Sequence, residues 1–126
     1  MFLLSKRGNK YIHRVPPTAA DFNKNSFTWD GNDHELDISS IVPANAKLVH
    51  ISVEIVTTAS ANYIGFTSVD DSEDWFMMKT RTQVANISIV SNFMVALSTP
   101  QTLKYYAKLY EGSVTGVEVM ILGWWI

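Results

Sequence analysis

The chain has no cysteine. Disulfides, thiol catalysis and thiolate metal sites are therefore all excluded, although the redox compartment stays open. Charge is also scarce, at 17% Asp, Glu, Lys and Arg against about a quarter in ordinary globular domains. Ser, Thr and Asn fill the polar quota, which favours a β-rich surface with many turns. No apolar run approaches the roughly 20 residues of a membrane-crossing helix; the longest, "VMILGWWI", is far shorter. The opening "MFLLSKRGNKY" puts its apolar residues ahead of its charges, the reverse of a secretory leader. The expectation is a soluble protein made without a targeting signal. No stretch has a convincing helical period.

What is present is enough for one core. A chain of 126 residues fits a single domain that buries roughly two thirds of its unfolded surface. Hydrophobic residues make up 47%, and four Trp, five Tyr and six Phe exclude disorder for the body of the chain. Charge is unevenly placed. Lys6, Arg7, Lys10 and Arg14 stand without any acid among the first 14 residues, whereas the rest of the chain is net acidic and the total is −2. A basic leader on an acidic body suggests an arm that reaches another surface. Pro16 and Pro17 follow it and hold Val15 extended. Residues 1–25 are read as an extended N-terminal arm and linker, and 26–126 as the folded domain.

From there the period is two. Val49, Ile51, Val53 and Ile55 share one face of "LVHISVEIVTT". Ile87, Ile89, Phe93, Val95 and Leu97 share a face that Ser91 interrupts, predicting a bulge or break near Ser91–Asn92. Leu103, Tyr105 and Ala107 alternate with Lys104, Tyr106, Lys108 and, further on, Tyr110. Shorter strands are predicted in "HELDIS", "NYIGFTS" and "WFMMKTR", with turns at "DGND", "VPANAK", "VDDSED", "STPQ" and "EGSVTG". Seven or eight short strands without helices predict an all-β fold, a single antiparallel β-sandwich, jelly-roll-like, with an extended N-terminal arm. The last strand, "GVEVMILGWWI", starts amphipathic and ends apolar on both faces. Regular alternation puts Trp125 with Val117, Val119 and Ile121, and Trp124 with Met120, Leu122 and Ile126. One face suits the core. The other needs cover from the arm or from a second chain, so Met120, Leu122, Trp124, Trp125 and Ile126 are candidate oligomer contacts.

Chemistry-bearing patterns are few. His13, His34 and His50 have no metal-ligand spacing. Asp70, Asp71, Glu73 and Asp74 are weak candidates for a hard cation, but they lack the helix-loop-helix calcium spacing. No cofactor is expected, and no nucleophile elbow or phosphate loop is present, so the chain is expected not to be an enzyme. Tyr106 and Tyr110, with Trp75, could stack a sugar ring. Equally, Tyr suits strands and Lys guards an edge. Nucleic acid is disfavoured by the acidic body.

Two stretches, "LDISSIVPANAKLVHISVEI" and "VEVMILGWWI", resemble a pattern in small β-sandwich domains of tailed-bacteriophage virion proteins; "QTLKYYAKLYEGS" is similar too. The likeness covers roughly Leu36–Ile55 and Gln101–Ile126. It implies a virion structural protein of the decoration, head-fibre or tail-appendage type, made in the host cytoplasm, and it transfers no catalytic residue. The reading it favours is a capsid decoration (cement) protein. Phe2, Leu3, Leu4, Lys6, Arg7, Lys10 and Arg14 would lie along the major capsid protein or another virion protein, without nucleic acid or membrane. It would form a homo-oligomer, and a trimer would suit a three-fold site. The alternative is a receptor- or carbohydrate-binding module of a tail fibre or baseplate.

Overall fold

The computed structural model describes residues 10–70 and 78–126. Its strands are β1 (Tyr11–His13), β2 (Phe22–Asn23), β3 (Asp30–Asp37), β4 (Leu48–Thr57), β5 (Tyr63–Ser68), β6 (Met78–Arg81), β7 (Ile89–Ala96), β8 (Thr102–Lys108) and β9 (Val114–Trp125). Among the described residues the only helical element is a 3-10 turn, Lys24–Ser26, which Asn23 caps by accepting from the Asn25 amide.

Two antiparallel sheets face each other. The first has the order β1-β9-β4-β7, with β2 also paired to β9; the second is β3-β8-β5-β6. The pairs β2·β9, β3·β8, β4·β7 and β5·β6 nest inside one another, as if one long hairpin had been rolled up. That nesting makes the sandwich a jelly roll.

The core lies between the sheets. Val49, Ile51, Val53 and Ile55 of β4 and Val117, Val119 and Ile121 of β9 point inward from the first sheet. Leu36, Ile64, Phe66, Leu103, Tyr105 and Ala107 meet them from the second. Phe27, just before β3, closes one end with its ring edge-on to Phe66 and Tyr105. The Tyr105 hydroxyl is not stranded there, because it accepts from the Thr28 amide at 3.0 Å.

Three expectations change. β7 runs unbroken through Ser91 and Asn92, which pair in register with Val53 and Ser52. A small polar side chain is tolerated at a half-buried inward position, so no bulge is needed. Asp30-Gly31 does take positive φ, at +74° on Gly31. It does so at an irregularity inside β3, opposite β8, instead of at a hairpin turn.

The third change concerns the tryptophans. The β4–β9 register shifts between His50↔Gly123 and Ile51↔Ile121, so Leu122 is an extra residue. A bulge swaps the facing of everything beyond it. Trp124, opposite Val49, packs against the core, and Trp125, opposite Leu48, turns to the outer face. The two rings still face opposite ways, but in the reverse assignment to regular alternation.

The chain's own N-terminal segment supports this bulge. β1 pairs with Gly123–Trp125 and β2 with Glu118–Val119. Between them residues 15–20, with Pro16 and Pro17, leave the sheet, which is where prolines belong. Side chains fill the gap in the ladder. Asp21 accepts from the Ile121 amide at 2.9 Å, and Arg14 donates to the Ile121 carbonyl at 3.0 Å. The two are joined by a two-pronged ion pair of 2.6 and 2.8 Å. Hydrogen bonding to Asp21 raises the Arg14 pKa, so the guanidinium stays charged.

Candidate functional site

The core consumes one face of each sheet, which leaves the two outer faces, their edges and the connecting loops for recognition. On the first sheet, Tyr11 of β1 packs its ring 5.3 Å from that of Trp125, and its hydroxyl lies 3.3 Å from His50 Nδ1. Gly123 makes this possible. A Cβ there would collide with the Tyr11 hydroxyl and with the Ile12 carbonyl. The Trp125 indole N–H is buried and has no acceptor among the described residues. Ile126 exchanges both backbone hydrogen bonds with Lys10. Of the predicted contact residues, Met120 and Trp125 thus face outward, Trp124 faces the core, Leu122 forms the bulge, and Ile126 is tied through its backbone.

Further along the same face Glu54 and Glu118 are cross-strand partners. They line an open depression of about 470 Å³ with Val56, Asn86, Ser88, Gly116 and Val117. Hydrogen bonding to Glu54 and repulsion from it raise the Glu118 pKa above the usual carboxylate range. An exposed Glu118 and a half-buried Glu54 without a third ligand do not make a metal centre, and no group of three metal-ligating side chains occurs among the described residues.

The second sheet is different in kind. Its outward positions carry Lys104, Tyr106 and Lys108 on β8, Tyr63, Gly65 and Thr67 on β5, and Lys79 and Arg81 on β6. The Tyr63 and Tyr106 rings stack at 5.7 Å and 17°. Tyr110, beyond the end of β8, lies 6.1 Å from Tyr63 and is 59% exposed. Burial pushes the Tyr63 phenol up, and the neighbouring Tyr110 and Tyr106 hydroxyls add to it, which gathers three phenols at one spot. Lys79 Nζ sits 4.7 Å over the Tyr63 ring, and Lys108 Nζ 5.3 Å over Tyr110. Beside Tyr106, Gly31, Asn32 and Asp33 line a depression of about 300 Å³.

What holds Tyr110 there is a fully buried asparagine. Asn62 Oδ1 accepts from the Tyr110 amide at 2.7 Å, and Nδ2 donates to the Glu111 carbonyl at 2.9 Å and to Thr57 Oγ1 at 3.1 Å. Thr82 Oγ1 accepts from the Asn62 amide. Ala61, at φ +71°, sets up this corner.

Alternation placed Tyr106 and Tyr110 on the outward side of β8, and the structure puts both beside Tyr63 there. Sequence reasoning missed Tyr63, which the period-two pattern of "NYIGFTS" puts outward with Gly65 and Thr67. Trp75, Asp71, Glu73 and Asp74 lie outside the described residues, as do Phe2, Leu3, Leu4, Lys6 and Arg7. Asp70 is exposed, and its amide donates to Ser98 Oγ. Arg14 is committed to Asp21 inside the fold and is not presented to a partner. Lys10 is exposed, with its backbone paired to Ile126. His34 contacts Asp30 at 2.8 Å and stacks on Tyr105.

The nested pairing defines the class: a jelly roll, an architecture shared by viral capsid proteins, lectins and cupins. No protein-family model matches the chain, and no curated protein does. Among solved structures the chain is similar to the coat protein of Tobacco streak virus, as a dimer, at TM-score 0.44 and 12% identity, covering 93% of this chain and 82% of that one. A second crystal form of that coat protein gives TM-score 0.37 and 10% identity, covering 93% and 83%. Scores this low establish neither a common fold nor a common role. The jelly-roll assignment stands on the strand pairing alone.

Proposed function

We propose that this chain is a non-enzymatic structural protein of a virus particle, and specifically a capsid decoration protein that binds the major capsid protein lattice. One observation carries the reading. The stretches that resemble phage virion sandwiches form β4 and β9, the paired central strands of the first sheet, together with the end of β3 and β8. The Gly within the resembling "LGWW" tail also has a specific task, seating Tyr11 over Trp125. In this reading Met120 and Trp125, on the outer face, meet a sister subunit or the shell, and a trimer on a three-fold site is the favoured assembly. The leader through Lys10 contacts the lattice.

The test removes residues 1–9 only, which leaves β1 and the Arg14–Asp21 pair intact. The shortened protein should lose occupancy on purified capsids, whereas unchanged occupancy would remove the arm from the reading. Sedimentation of full-length protein beside Trp125→Ser tests the subunit contact, and equal masses would discard it.

A second reading, a carbohydrate- or receptor-binding module of a tail fibre or baseplate, is favoured by the Tyr63, Tyr106 and Tyr110 cluster. Screening the full chain against a glycan array separates the two, because a decoration protein has no saccharide preference.

A further inference from the structure

We propose that the outer face of the second sheet is a site for a sugar bearing a carboxylate, with Tyr110 as the stacking ring and Lys79, Arg81 and Lys108 as the cations that receive the acid. This rests on the carbohydrate-binding reading and goes further by naming the ligand class.

Three features converge on it. First, Tyr110 is an exposed ring on a fixed mount. Its amide is held by buried Asn62 and its ring lies beside Tyr63, so little freedom remains to be lost when a ligand stacks on it. The apolar face of a pyranose ring suits an aromatic platform, and the surrounding phenol hydroxyls suit its hydroxyl groups.

Second, the surroundings of that platform are cationic. Lys108 of β8 and Arg81 of β6 are the two cross-strand partners of Tyr63, and Lys79 lies over its ring. Among the described residues no carboxylate comes within ion-pair distance of Lys79, Arg81 or Lys108. Gly65, between Tyr106 and Lys79 in the register, contributes no side chain to the face. An arginine and two lysines on the strands flanking Tyr63 supply the cations that a planar acid needs.

Third, the patch is bounded. Asp30, Asp33, Glu35 and Asp37 are exposed along β3, two strands from β5. At about 5 Å per strand that row stands roughly 10 Å from Tyr63 and one strand from Lys108, whose cross-strand partner is Asp30. A single carboxylated ring fits inside that limit. An extended polyphosphate would run into the acids, which disfavours nucleic acid.

The experiment measures binding of the full chain to an oligosaccharide ending in a carboxylated sugar, to its carboxyl-reduced twin, and to a single-stranded oligonucleotide. Tyr110→Ala and the double variant Lys79→Gln/Arg81→Gln are surface changes, and their folding is checked by circular dichroism and thermal melting. The expected result is binding to the acid form that weakens at least about tenfold on carboxyl reduction and in the double variant, and is lost in Tyr110→Ala. Equal binding of acid and reduced sugars overturns the carboxylate assignment and leaves the carbohydrate reading in place. Binding to no sugar overturns both. Preference for the oligonucleotide overturns the ligand class.

Discussion

The two outer faces of this sandwich both carry aromatic side chains, but they use them differently. On the first sheet Tyr11 and Trp125 are turned toward each other, with His50 at the Tyr11 hydroxyl and β1 laid along the edge. On the second, Tyr110 stands 59% exposed near Lys79, Arg81 and Lys108, which no described acid engages. An aromatic on an outer face is therefore not a binding signal by itself. Its meaning depends on whether the fold has already given it a neighbour, and the first face owes its neighbour to a segment about 110 residues earlier.

That contrast can be broken deliberately. The largest effect is expected from Arg14→Ala, which leaves the Asp21 carboxylate, with 8% side-chain exposure, without its counter-charge. Breaking such a pair should cost about 3 kcal/mol, read as a lower urea midpoint, and should shift Trp emission while leaving the tyrosine face unchanged. Asn62→Ala attacks the other side. It strands the Tyr110 amide and Glu111 carbonyl and should cost about 2–3 kcal/mol, with increased mobility of Tyr110 by NMR relaxation. If both variants disturbed both faces equally, the faces would not be independent.

Gly123→Ala is next. Its Cβ would displace Tyr11 and press on the Ile12 backbone, so about 1–2 kcal/mol of overpacking is expected, together with a red shift of Trp125 emission. The smallest effect is a pH dependence. The Glu118 pKa is raised in the fold, so its stabilising contribution is present below the unfolded carboxylate range and is lost as pH rises through the folded value. Glu118→Gln should therefore be slightly more stable than the native chain at neutral pH and gain nothing in acid. Asp30 behaves in the opposite sense. Its pKa is lowered to about 2 from 3.8, chiefly by the hydrogen bond with His34, so its contribution is present above 3.8 and lost as pH falls toward 2. Melting curves of Asp30→Asn and Glu118→Gln against pH should diverge in opposite directions.

What the sequence made legible follows from locality. Alternation in β4 and β8 is a property of consecutive residues, and their inward faces are buried as read. The jelly-roll class followed from strand number and turn chemistry. The facing of Trp124 and Trp125 did not follow, because the bulge at Leu122 depends on Arg14 and Asp21 meeting Ile121 from 107 and 100 residues away. Ser91 misled for the opposite reason: a polar residue on an inward row looks like an interruption until the half-buried position is seen. Tyr63 was within reach of period-two reasoning. Its place beside Tyr110 was not, since Asn62 sets that juxtaposition through a buried hydrogen-bond hub that leaves no periodic trace.

The nested pairing also constrains how the molecule is made. β9 follows every other described strand in chain order, yet it lies between β1 and β4 in the middle of the first sheet. During synthesis β4 and β7 can pair, but one flank of β4 stays open until residues 114–125 leave the ribosome. Closing contacts 100 residues apart gives a high contact order, and such topologies fold slowly. Until that moment the chain exposes an unpaired, Val- and Ile-rich strand flank, the kind of surface that templates aggregation. Slow, cooperative assembly that waits for β9 is the kinetic signature to look for in this protein.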